Sequence, residues 1–201
     1  MLVTTVAGQV LPAGAIKGGT GLAIRTGFSC RFSTDIDAAA RSPISVDKHI
    51  ELLGRNLGGG WGGFTGTIAE VEAPEQDAIS AAYAIRRFRI SIAYATKHLT
   101  SIVFELGPDE LDLSHAADLR VSQDHLDVFA ALGLPEPQPM PVMLTELQVA
   151  QKLHACTVVG AVRANARAHD LVDLQLIDRA ERIDPVVTRP IAERLFVYRN
   201  A

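Results

Sequence analysis

The stretch KGGTGLAIRTGFSCRFSTDID, residues 17–37, constrains this chain more than any other. A glycine pair precedes TGLAIRTG, a segment that reads as a short helix ending at Gly27, and the chain then enters a strand carrying Asp35 and Asp37. Side chains at i and i+2 of a strand point the same way, so the two carboxylates share a face, about 7 Å apart at Cα. Like charges that close repel and raise each other's pKa unless a cation or a solvated edge relieves them. Mg²⁺ supplies such relief, taking one or two carboxylates and completing its shell with substrate phosphates. Gly18 and Gly19 would present bare N–H groups and the positive end of a helix dipole, which suits phosphate. Neither half identifies a ligand alone: the third glycine of a dinucleotide fingerprint and the Lys-Ser/Thr of a P-loop are both absent. Together, with Arg31 and Ser33 between them, they set a phosphate cradle beside a metal clamp.

Two further regions carry charged residues where chemistry can use them. In SIVFELG, Glu105 interrupts an apolar strand. Buried alone it would be costly; as a third metal ligand or as the base for an attacking hydroxyl it would be compensated, and the alternative is an outward-facing glutamate near a strand end. In QKLHACTVVGAVRANARAHDLVDLQLI, Lys152 begins a cluster that Asp170 and Asp173 close on the next helix. A lysine meets a triphosphate as a point charge, and an aspartate can pair with it or orient it. Arg163 and Arg167 fall in the connecting loop, within reach of phosphate or RNA. The run Arg86, Arg87, Arg89 and Lys97 offers RNA phosphates a local basic contact, or else a solvated strand face.

Composition sets outer limits. The 201 residues suffice for one large domain with a helical appendage. A net charge of −4 excludes a generally basic nucleic-acid-coating protein while leaving room for a local basic groove. Cys30 and Cys156 have no metal-type spacing and no disulfide framework, so reduced thiols are expected. No apolar run reaches the roughly 18 residues of a membrane span, and MLVTTVAGQVLPAG lacks a basic n-region, so a cytoplasmic location without membrane contact is expected.

Along the chain, SVDKHIELLGRNL shows helical spacing at Val46, Ile50, Leu53 and Leu57, with Ser45 as its N-cap. GGGWGGFTG reads as a loop, and FTGTIAEVEA, AYAIRRFRISIAYA and LTSIVFEL read as strands. QDHLDVFAALGL is a short helix, PEPQPMP a connector, and three helices follow. Mixed α/β structure thus comes first and a helical region second, divided as 1–134 and 142–201.

These blocks resemble the AbiEii/AbiGii toxin family of nucleotidyltransferase-like proteins, which includes the MenT toxins of prokaryotic toxin–antitoxin pairs. The family's first motif is a Gly-Gly-Thr/Ser turn, a short helix and an Arg-x-Ser-x-Asp-x-Asp strand, matched at Arg31, Ser33, Asp35 and Asp37. Its late motif appears as QKLHA and HDLVDL, with Gln151 where the family carries Glu and His169 where it carries Arg. Only sixteen residues precede Lys17, where family members tend to have a longer segment. The resemblance implies an α+β fold: a nucleotidyltransferase (polymerase-β-like) core with a mixed sheet and a helical C-terminal region completing the active site. It assigns Gly18, Gly19 and Thr20 to nucleotide phosphates, with Arg31, Ser33 and Lys152 beside them. Asp35 and Asp37, with Glu105, become metal ligands, and Asp35, Asp37, Glu105, Lys152 and Asp170 the catalytic set. It further implies Mg²⁺ (Mn²⁺ as an alternative), an NTP substrate, a tRNA 3′ end as acceptor with a consequent block of translation, and a cognate antitoxin. A kinase-like phosphotransferase using the same pocket, or a degenerate protein that binds nucleotide or a partner without turnover, stands as the alternative.

Overall fold

The glycine pair sits at the hinge of a strand–helix–strand unit. The computed structural model describes residues 1–30, 33–41, 43–71, 85–113, 116–157 and 167–200. Helix α1 (Leu2–Val10) leads to β1 (Gly14–Lys17), which runs without a break into α2 (Gly18–Thr26); β2 (Asp35–Ala40) then returns antiparallel to β1. Helix α3 (Val46–Gly59) forms as its spacing predicts, with Leu53 and Leu57 buried, the Ser45 hydroxyl accepting from the Lys48 N–H at 3.2 Å, and Gly60 closing it at φ +76°.

Strands β3 (Phe64–Glu70), β4 (Arg86–Tyr94) and β5 (Lys97–Gly107) form an antiparallel meander. Next come β6 (Asp118–Arg120), α4 (Gln123–Ala131) and β7 (Met140–Val142), then α5 (Thr145–Thr157), α6 (Ala168–Ala180) and α7 (Pro185–Asn200). The proline-rich connector therefore delivers the chain into the sheet, where β7 lies parallel to β1 with Ile16 opposite Val142. All seven strands among the described residues join one mixed sheet in the order β3-β4-β5-β2-β1-β7-β6. No helix among the described residues is long and apolar enough to cross a membrane.

The two faces of β2 have different fates. Ile36, Ala38 and Ala40 enter the main core with Phe88, Ile90, Phe104 and Leu106 of β4 and β5, under Val6 and Ala7 of α1 and Leu53 and Leu57 of α3. Asp35 and Asp37 alternate with them and so occupy the opposite face, both half-buried. On that face Ala15 and Ala39 pack beneath Leu147 and Ala150 of α5 and Leu195 of α7. Leu22 of α2 meets Val149 of α5 and Ile177 of α6 in a further cluster. Near the end of α2, the almost fully buried Arg25 reaches Asp118 at 2.9 Å, Glu181 at 3.0 Å and the Met143 carbonyl at 2.6 Å.

Candidate active site

Sheet register builds the centre of the site. Lys17 of β1 lies opposite Asp37 of β2, Asp37 beside Glu105 of β5, and Glu105 opposite Arg87 of β4. One row of the sheet thus reads cation, carboxylate, carboxylate, cation. Arg87 binds Glu105 at 2.8 Å and 2.7 Å through two nitrogens. Burial, with Asp35 and Glu105 adding repulsion against the attraction of Lys17 and Lys152, pushes Asp37 up to about 6. Ser33 donates to the Asp35 carboxylate at 2.8 Å, and the buried Thr20 hydroxyl donates to the Asp35 carbonyl at 2.7 Å, tying α2 to β2.

Gly18 explains why the motif begins with glycine. Its φ is +63°, and a Cβ there would meet the Asp37 Oδ2 at 2.1 Å. Only a residue without a side chain lets the start of α2 press against that carboxylate. The Gly18 carbonyl accepts from the Gln148 amide of α5 at 2.7 Å, fixing the roof over this turn.

A cavity of about 230 Å³ opens here, with Lys17, Gly18, Gly19 and Asp37 on one side and Lys152, Arg167 and Asp170 on the other. The sequence expectation that Lys152 meets the α6 aspartates matches the geometry: its ammonium lies 3.1 Å from Asp170 and 2.7 Å from the fully buried Asp173. Arg167 approaches Asp170 at 3.6 Å. Arg31 and Arg163 lie outside the described residues.

The structure adds three residues to the expected set. Lys17 lines the cavity; its place directly before the glycines was visible, but its cross-strand partner was not. Glu110, mostly buried, holds Arg199 of α7 through two bonds of 2.7 Å and 2.8 Å and also accepts from Gln151, so α7 contributes Arg199 to the cavity wall. Leu111 and Asp112, the next two residues, have φ of +63° and +56°, a costly conformation for residues with side chains. No motif joins Glu110 to Arg199 in the sequence. His169 is exposed on the first turn of α6. The basic run divides by strand parity: Arg86 binds Glu70 and Asp47, Arg87 binds Glu105, and Arg89 is exposed.

Among the described residues, no cluster of three or more His, Cys, Asp or Glu side chains forms a ready-made metal cage. The donors suit a hard cation nonetheless: carboxylates on one face of β2, bordered by a third on β5, around an acid whose pKa is raised chiefly by burial. Mg²⁺ commonly binds in such partial shells and draws its remaining ligands from phosphate and water.

The seven-stranded mixed sheet, with a helix springing from the glycine turn and paired acids beside it, defines a nucleotidyltransferase-like α+β fold. MenT4, a nucleotidyltransferase toxin from Mycobacterium tuberculosis H37Rv, shares this fold with a TM-score of 0.59 at 22% identity, over 98% of this chain and 62% of MenT4. The antibiotic-resistance factor ANT(2'')-Ia gives a fainter likeness, with a TM-score of 0.45 at 13% identity, over 98% of this chain and 90% of its own. No curated protein matches the sequence. The chain belongs to the nucleotidyl transferase AbiEii toxin family of type IV toxin–antitoxin systems, whose model matches residues 7–201. It spans about 62% of the length of MenT4.

Proposed function

We propose that this protein transfers a nucleoside monophosphate from an NTP to the 3′ hydroxyl of an RNA, with the tRNA 3′ end as acceptor, and so blocks translation in the cytoplasm until a cognate antitoxin neutralises it. The observation that carries this reading is the cavity bounded by the α2 N-terminus, Lys17 and Lys152, with Asp37 at its edge. In this reading residues 142–201 complete a site begun by 1–134. Gly18 and Gly19 receive phosphate oxygens on their N–H groups; Lys17 and Lys152 meet the charge that builds on the departing pyrophosphate. Asp35 and Asp37 would hold Mg²⁺ (or Mn²⁺), which would supply charge neutralisation and orientation of the phosphates. Glu105, Asp35's neighbour across the ladder at one row's remove, is available as a third carboxylate once Arg87 yields it, and Asp170 keeps Lys152 aimed into the cavity. Positioning and electrostatics do most of the work in such transfers.

The test incubates the protein with Mg²⁺, unfractionated tRNA and each NTP labelled at the α or the γ phosphate, beside Asp37→Ala. Label from the α position in tRNA, absent with the variant, is the expected result. Label from the γ position alone, entering protein, would replace this function with a phosphotransferase, and bound nucleotide without transfer would leave a binding protein.

A further inference from the structure

The carboxylates stand at a boundary on their sheet face. Toward β1 the face is roofed by α5 and α7, and the cation-lined cavity lies there. Toward β5, β4 and β3, none of the described helices packs over the same face at Thr67, Ala69, Arg89 or Ser101, all of which are exposed. The ladder fixes what lies on it: Asp35 is level with Val103, Val103 with Arg89, and Arg89 with Ala69. One row further out, Ser101 pairs with Ser91 and Ser91 with Thr67. Thr67, Arg89 and Ser101 are exposed. At a strand spacing of about 4.8 Å, the Arg89 backbone lies about 10 Å from that of Asp35, two strands away. Arg87 is committed to Glu105, whereas Arg89 has no ion-pair partner among the described residues.

Displacement at the α-phosphorus puts the attacking hydroxyl and the leaving pyrophosphate on opposite sides of the reacting centre. Lys17 and Lys152 place the pyrophosphate on the roofed side, so the acceptor enters over the open one. The geometry points to the open half-face of β3, β4 and β5 as the platform on which an RNA strand lies while its 3′ hydroxyl reaches the site, with Arg89 as a phosphate contact; this rests on the function proposed above. Its chemistry suits that occupant. Arginine and hydroxyl side chains are the usual partners of phosphate and sugar, whereas a protein interface centres on buried aromatic anchors, which these two rows lack. Parity also separates Arg89 from Arg86, which is bound to Glu70 and Asp47.

Binding of fluorescent unfractionated tRNA and, separately, of NTP with Mg²⁺ is measured for the wild type, Arg89→Ala, Arg89→Glu and Thr67→Glu, all at exposed positions. Loss of one single-strand phosphate contact should reduce the salt slope by about 0.7, which is about fivefold in affinity at 0.1 M salt for Arg89→Ala. The two glutamate variants should weaken tRNA binding further, with NTP affinity unchanged. Unaltered tRNA affinity in both glutamate variants overturns the platform. If wild type binds tRNA through Arg89 yet transfers no label, the proposed reaction fails and the platform stands. If label enters tRNA equally in wild type and the glutamate variants, the reaction stands and the platform fails.

Discussion

Replacing Asp37 with asparagine should make the metal-free protein more stable while abolishing its activity. The carboxyl rises from 3.8 to about 6 on folding, chiefly through burial, with Asp35 and Glu105 adding repulsion. A raised acid pKa means that the unfolded chain gives up its proton first, so stability falls as pH climbs from about 3.8 to about 6 and stays lowered above that. At about 1.4 kcal/mol per unit, the ionised carboxylate costs about 3 kcal/mol at pH 7.5. Asparagine keeps the shape and carries no charge, so Asp37→Asn should recover most of that sum. At pH 4.5, where the folded acid is largely protonated, the gain should shrink to about 1 kcal/mol. Urea unfolding in EDTA at both pH values measures the difference. A loss of stability at pH 7.5, or an equal gain at both, would refute the electrostatic account of the site. Millimolar Mg²⁺ should stabilise the wild type more than the variant, because a ligand stabilises only the state that binds it.

Lys152→Ala should lower stability by about 3–5 kcal/mol, since it takes the ammonium away from the buried Asp173 and leaves Asp170 without its nearest cation; adding Asp173→Asn should restore part of that in urea melts without restoring nucleotide transfer. Gly18→Ala should cost at least about 1–2 kcal/mol from its positive φ alone, and NTP binding should fail because the methyl displaces the Asp37 carboxylate. Burial pushes the fully enclosed His49 down to about 4 from 6.5, so the unfolded chain takes up the proton first as pH falls. Lowering the pH from 7 to 5 should therefore cost about 2 kcal/mol at this residue, and His49→Gln should flatten the pH dependence of the urea midpoint.

The early half of the site was readable because everything that defines it is local. Two-residue periodicity puts Asp35 and Asp37 on one face whatever surrounds them, and a glycine pair ahead of a helix announces an exposed N-terminus. Helix α3 was readable for a similar reason: four apolar positions at helical spacing and a serine cap agree with one another. The strands β6 and β7 were missed because three residues are too short to show a period, and β7 hid at the end of a proline-rich stretch. Helix α1 bears no charge to outline a polar face, and only its pairing with the main core shows what it is for. Glu110 and Arg199 meet across 89 positions of chain through tertiary packing alone. The arginine run is one patch along the sequence, yet strand alternation sends Arg86 one way and Arg87 and Arg89 the other.

Arg25 pins the tail of α2 in place without changing the electrical character of the helix. A helix of this length carries partial positive charge at its first turn and partial negative charge at its last, and the two ends normally offset each other at a distance. Here a guanidinium sits in the last turn, locked in place by bonds to β6, to the residue after α6 and to the backbone between β7 and α5. Two carboxylates meet that guanidinium, so it serves as a mechanical anchor and not as a counter-charge: the tail of α2 is pinned at three points, and its head keeps a fixed bearing where the two glycines leave the backbone bare.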